Sequence, residues 1–152
     1  MGKLKIDLGG WVVVCDGGKA MILKNVGDRV YPNLRAVEIR EHEGASTQEQ
    51  GADSPGRVHF SAGPARSSVE QTDWHDQAER RFLDGLADRL DKAIGDEETT
   101  ALIIVASPRA LGMLRGVLTD RVRGAVHEEI GKDLVKLPIY EIEQQLFGQV
   151  GR

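Results

Sequence analysis

Trp11-Val-Val-Val-Cys15 presents an apolar side chain to both sides of any strand it forms, and that reading decides the fold class. β-branched residues favour a strand, and the lack of alternation places it inside a sheet covered on two sides. Ala101-Leu-Ile-Ile-Val-Ala106 repeats the pattern far along the chain, so two such central strands are expected. Working outward from the first, Asp16-Gly17-Gly18 reads as a tight turn. Lys19 to Val26 returns as a strand with Ala20 and Ile22 on one face, Met21 and Leu23 on the other. Gly27-Asp28 turns again and Tyr31-Pro32-Asn33 makes an extended corner. Leu34 to Glu41 then alternates, Val37 and Ile39 inward, Glu38 and Arg40 outward, as a half-exposed strand near an edge. Beyond the second apolar strand, Ser107-Pro108 reads as an N-cap and first helical residue, with Leu111, Leu114, Val117 and Leu118 as the core face. Thr119 caps a short helix through Arg123, Val126 to Ile130 forms a strand, and Pro138 opens a last helix that buries Ile139, Ile142 and Leu146. The order β-β-β-α-β-α-(α)-β-α implies a single α/β domain over 1–152. Its mixed sheet is hairpin-connected at first, crossover-connected later and flanked by helices.

The middle of the chain is different. Residues 44–72 are rich in Gly, Ser, Ala, Gln and Asp, with Pro55 and Pro64 as punctuation, and predict a long Gly/Ser-rich loop. Connections of this length in a compact domain usually serve binding or stay disordered. Glu41, Glu43 and Glu49 make its approach acidic, whereas Arg57, His59 and Arg66 make its second part basic. Thr72 reads as the N-cap of the following helix, with Asp73 and Asp76 in its first turn, where the dipole favours negative charge. Phe82, Leu86, Leu90 and Ala93 form the apolar stripe, and Arg80, Asp84, Asp88 and Asp91 lie opposite. His75 and Glu79 fall within the stripe, so they are expected to turn toward the interior.

Of the 152 residues, 40% are hydrophobic and 29% charged, which describes an ordinary globular protein. A net charge of −4 excludes a chain that coats nucleic acid by bulk charge, so any polyanion must be met by a local patch. The single cysteine, Cys15, permits no intrachain disulfide and reads as a small buried hydrophobe in a reducing compartment. Met1-Gly-Lys-Leu-Lys5 opens no apolar leader, and no stretch reaches membrane-spanning length. The expectation is a cytoplasmic protein without membrane insertion.

Asp53-Ser-Pro-Gly-Arg57 carries a mechanism: Pro55 and Gly56 fix a turn, Asp53 orders its backbone, and Arg57 presents a planar fork to phosphate or carboxylate. Arg66 follows in the same loop. Arg109, at a helix start directly after a buried strand, and Arg115 extend the candidate RNA- or anion-binding set, with Arg121 and Arg123 continuing a basic strip. The plainer reading pairs these arginines with the chain's own acids. His75 and Glu79, one helical turn apart, suit an acid/base pair, metal ligands, or polar groups that order the loop through Arg57 or Arg66. Asp16 joins them as a catalytic candidate, and Asp16, Asp53 and Asp73 are candidate Mg2+ ligands, although their spacing matches no metal signature.

Several stretches together resemble the bacterial host attachment protein family, named for attachment to host cells. They are Trp11-Val-Val-Val-Cys-Asp-Gly-Gly-Lys-Ala20, Gly51-Ala-Asp-Ser-Pro-Gly-Arg57, Thr72-Asp-Trp-His75 with Glu79 and Phe82, Pro108-Arg-Ala-Leu-Gly-Met-Leu-Arg115, and Lys132-Asp-Leu134 with Leu137-Pro138. They run in the family's order across nearly the whole chain. The resemblance extends, more distantly, to the middle domain of archaeal and eukaryotic peptide-chain release factors, which implies a ribonuclease-H-like fold and a link to translation. It does not carry over release chemistry, because the Gly-Gly-Gln tripeptide is missing: Lys19 follows Gly17-Gly18, and Gly148-Gln149 lacks a second glycine. The leading expectation is a non-enzymatic module that binds RNA or the ribosome through its long loop and needs no cofactor. The rivals are a Mg2+-dependent nuclease or phosphoesterase, and a scaffold for a protein partner in attachment.

Overall fold

The structure is a computed structural model that describes residues 4–42 and 68–148, with side chains in the long helix described from His75 onward. Residues 43–67, with most of the expected loop, lie outside the described residues. Five strands are described: β1 (Trp11–Cys15), β2 (Lys19–Asn25), β3 (Leu34–Glu41), β4 (Leu102–Ala106) and β5 (Val126–Ile130). The described helices are α1 (Ser68–Gly95), α2 (Pro108–Arg115), α3 (Asp120–Ala125) and α4 (Ile139–Phe147).

The strands form one mixed sheet in the order β3-β2-β1-β4-β5. β1 pairs antiparallel with β2 and parallel with β4, and β5 adds to β4 in parallel. Both strands expected to be covered on two sides, β1 and β4, are buried at every position. The two-residue period splits their side chains cleanly between two cores. Trp11, Val13, Cys15, Ile104 and Ala106 face α1, α2 and α3; Val12, Val14, Ile103 and Val105 face α4. Burial pushes the Cys15 thiol up to about 12, with the neighbouring Asp16 adding to the effect, so it is a core residue. No described helix is long and apolar enough to cross a membrane.

The capping chemistry follows the residues. The Ser107 hydroxyl accepts from the Ala110 amide with Pro108 in the first turn, and the Thr119 hydroxyl accepts from the Val122 amide. α2 stops at Arg115, so Leu111, Leu114 and Leu118 are buried as expected but Val117 is exposed.

Three further expectations are corrected. α1 starts at Ser68, so Thr72 lies inside the helix and does not cap it. Val-Glu-Gln between them offers no glycine or proline to stop the helix. His75 is exposed and Glu79 half-buried, because the first buried side chain of the described part of α1 is Leu83. The apolar stripe continues past the sheet, where the described residues provide no buried core for it to enter. Val37 and Ile39 are 42% and 53% exposed. β3 is an edge strand, as expected, but Ile22 pairs with Glu38 while Leu23 pairs with Ala36, leaving Val37 as an extra residue. That bulge shifts the alternation, so Glu38 and Arg40 share the α1 side with Ile22 and Ala20.

On that side Arg89 ties the elements together. Its guanidinium lies 5.4 Å from the centre of the Trp11 ring, and it donates to Glu38 at 2.8 Å and to Glu98 at 3.0 and 3.1 Å. Nearby, Asp91 accepts both Arg121 donors at 2.7 and 2.9 Å and the Thr119 hydroxyl at 2.7 Å. Arg121 therefore draws the Asp91 carboxyl down from 3.8 to about 2, and the Arg89 hydrogen bond holds Glu38 below its ordinary 4.5. Folded-state values below the unfolded ones mean that the unfolded chain takes up more protons on acidification. The stabilisation is complete above the unfolded values and lost as pH falls through the folded ones. Unfolding free energy, followed by urea titration, is expected to drop as pH falls from 4.5 to about 2, and an Asp91→Asn/Glu38→Gln variant to show a flatter acid limb.

Candidate functional site

β1 and β4 run in parallel, so their carboxyl ends emerge side by side, and open α/β sheets bind ligands at such edges. The Ser107 amide donates to the Cys15 carbonyl at 3.3 Å and joins the two ends. After β1 the chain turns through Asp16, whose Oδ1 accepts the Gly18 and Lys19 amides at 2.8 and 2.9 Å. That oxygen is committed to the turn. The end of β3 reaches the same edge, where the His42 amide donates to the Gly18 carbonyl at 2.7 Å and the imidazole lies 6.2 Å from the Phe82 ring.

α1 crosses this edge and runs on beyond the sheet. Glu79 lies on Gly17 so closely that a Cβ there would stand 2.8–2.9 Å from the carboxyl group, and only glycine leaves that seat open. Arg109, in the first turn of α2, donates through Nε to Glu79 Oε1 at 3.0 Å and through Nη2 to Asp76 Oδ1. The Glu79 hydrogen bond, followed by attraction to both carboxylates, raises the guanidinium's pKa further. The three side chains are 58%, 31% and 34% exposed, which keeps the cluster in contact with solvent.

The edge thus unites Asp16, Glu79 and Arg109 from the expected set. Asp76 completes the cluster; its place in the chain suggested only a charge at the helix start. The i,i+3 spacing of Asp76 and Glu79, which puts two carboxylates on one helix face, was the available signal. His75 is exposed on the same helix. Arg115 belongs elsewhere, roughly 9 Å along α2 from Arg109. Its Nε donates to Glu129 at 2.7 Å, and it borders a groove of about 410 Å3 with Arg123, Val126, His127 and Glu128. Arg57, Arg66, Asp53, Pro55 and Gly56 lie outside the described residues, and the Asp73 side chain lies outside the described side chains. Among the described residues no group of three His, Cys, Asp or Glu is arranged to hold a metal.

The sequence profile of a family described as "Protein required for attachment to host cells" matches residues 11–146. No match was found among curated proteins.

Proposed function

From the premise that the chain belongs to this family of proteins required for attachment to host cells, we propose that it is a non-enzymatic binding module whose partner is RNA, chiefly on the ribosome. Arg57 and Arg66 make the contact, with Arg109 alongside and Asp53, Pro55 and Gly56 shaping the turn that presents Arg57. One observation carries the reading. The segment that bears Arg57 and Arg66 leaves the sheet at His42, which is bonded to Gly18, and returns into α1, whose Glu79 lies on Gly17. The outgoing attachment is on the edge that holds Arg109, and the return enters α1 at Ser68, roughly 16 Å of helix ahead of Glu79. A segment that departs from beside Arg109 supports shared use of the three arginines, whose guanidinium forks suit phosphate oxygens.

The sheet, hairpin-linked on one side of β1 and crossover-linked on the other, supports a ribonuclease-H-like reading and a kinship with release-factor middle domains. Work on ribosomes would put the protein in the cytoplasm.

Sedimentation with ribosomes tests this. The wild type is expected to co-sediment, less so as salt rises, and Arg57→Ala/Arg66→Ala to lose most of the bound fraction. Removing two phosphate contacts should also flatten the log affinity against log salt slope by about two. Equal binding of wild type and double variant would remove the central claim. Metal-dependent cleavage of added RNA would favour the nuclease.

A further inference from the structure

Arg109 is already holding an anion of the chain's own. Its two donors reach two different carboxylates, Glu79 and Asp76, much as they would reach two oxygens of one phosphate. We infer that the α1 carboxylates form a self-occupying latch on Arg109, and that a phosphate-bearing partner binds this arginine by displacing them. The inference rests on the reading of Arg109 as an anion contact given above.

Two features of the latch make displacement feasible, and a third defines the position from which the anion displaces Glu79. The pairs are solvent-exposed, and such ion pairs hold weakly enough to exchange. None of residues 75–81 is buried, and the first side chains in the described part of α1 to meet the core are Phe82 and Leu83, so both carboxylates sit outside the core. Glu79 also has a defined seat, because Gly17 lacks the Cβ that would push the carboxyl group away. With both carboxylates in place the three-residue cluster carries one net negative charge, which repels phosphate; with them withdrawn, Arg109 presents a positive fork. Glu79 thus has an on-position set by glycine and arginine together, and the anion competes for the arginine half of it.

Inorganic pyrophosphate is the probe, titrated by calorimetry and by the Arg109 side-chain Nε–H resonance. Asp76→Asn/Glu79→Gln is expected to bind it roughly three- to tenfold more tightly than wild type, the range that losing two exposed ion-pair partners allows. Arg109→Ala added to that variant should abolish the gain. Gly17→Ala is a second route, since the new methyl group drives Glu79 off its seat with no change of charge, and it should shift affinity in the same direction. Unchanged or weaker pyrophosphate binding in both Asp76→Asn/Glu79→Gln and Gly17→Ala would overturn the latch. If pyrophosphate behaves as expected but ribosomes fail to bind, the latch stands and the RNA assignment falls. If ribosomes bind through Arg57 and Arg66 while pyrophosphate ignores the carboxylate changes, the latch falls alone.

Discussion

Asn25→Ala is expected to lower the unfolding free energy by about 3–5 kcal/mol, because it strands several buried polar groups at once. Asn25 is fully buried at the end of β2. Its side-chain amide donates to the carbonyls of Ile6, Asp7 and Asp28 at 3.0–3.2 Å, and its Oδ1 accepts the amides of Gly27 and Asn33 at 2.9 and 2.8 Å. Its own backbone exchanges further bonds with Gly9 and Gly10. One side chain thus joins the N-terminal segment, the 27–33 corner and the sheet. Urea unfolding of Asn25→Ala beside the wild type gives the value. Asn25→Asp is a sharper probe, since it keeps an acceptor for Gly27 and Asn33 but turns a second oxygen toward carbonyls, and it should be destabilised as well. A loss below about 1 kcal/mol for both would mean that the corner is held by other contacts.

Leu86→Ala is the second large effect, expected at about 2–5 kcal/mol. Leu86 is fully buried between the α1 stripe and the sheet side chains of the Trp11 and Ile104 face. Alanine there leaves a cavity lined by rigid strands, which collapse poorly. The same substitution at Gln77 or Arg80, exposed and ahead of the docked stretch, should stay within about 0.5 kcal/mol. Measured side by side by urea unfolding, the three variants divide α1 into a part that holds the domain together and a part that does not. A comparable loss at Gln77 would contradict that division.

The same division explains what the sequence made legible. β1 and β4 were readable because uninterrupted β-branched runs suit only a strand covered on both faces, and the Ser107 and Thr119 caps because their signals lie within three residues. Misreadings arose where a local pattern outran its surroundings. The 100° periodicity that correctly picks Leu86 and Leu90 also picks His75 and Glu79, yet periodicity does not say where the sheet ends. Thr72 was a good cap on its own terms, but Ser67-Ser-Val-Glu70 spells a capping box upstream of it. Val37 and Ile39 were misassigned because a bulge depends on the partner strand. The Arg109 cluster was the least legible part, since Arg109 meets Glu79 across 30 positions and through a turn glycine. Asn25 had no signal beyond being a polar residue before a turn.

The bulge in β3 has a bearing on self-association. A flat rim displaying Val37 and Ile39 would be an open template for stacking one molecule on another into fibrils. Val37 breaks the two-residue rhythm of that rim, and Arg35, Glu38, Arg40 and Glu41 set charges among the apolar groups. A newcomer would need a matching irregularity and a complementary charge sequence to zip along it. The irregularity that defeats a simple alternation rule therefore also guards the chain against indiscriminate polymerisation.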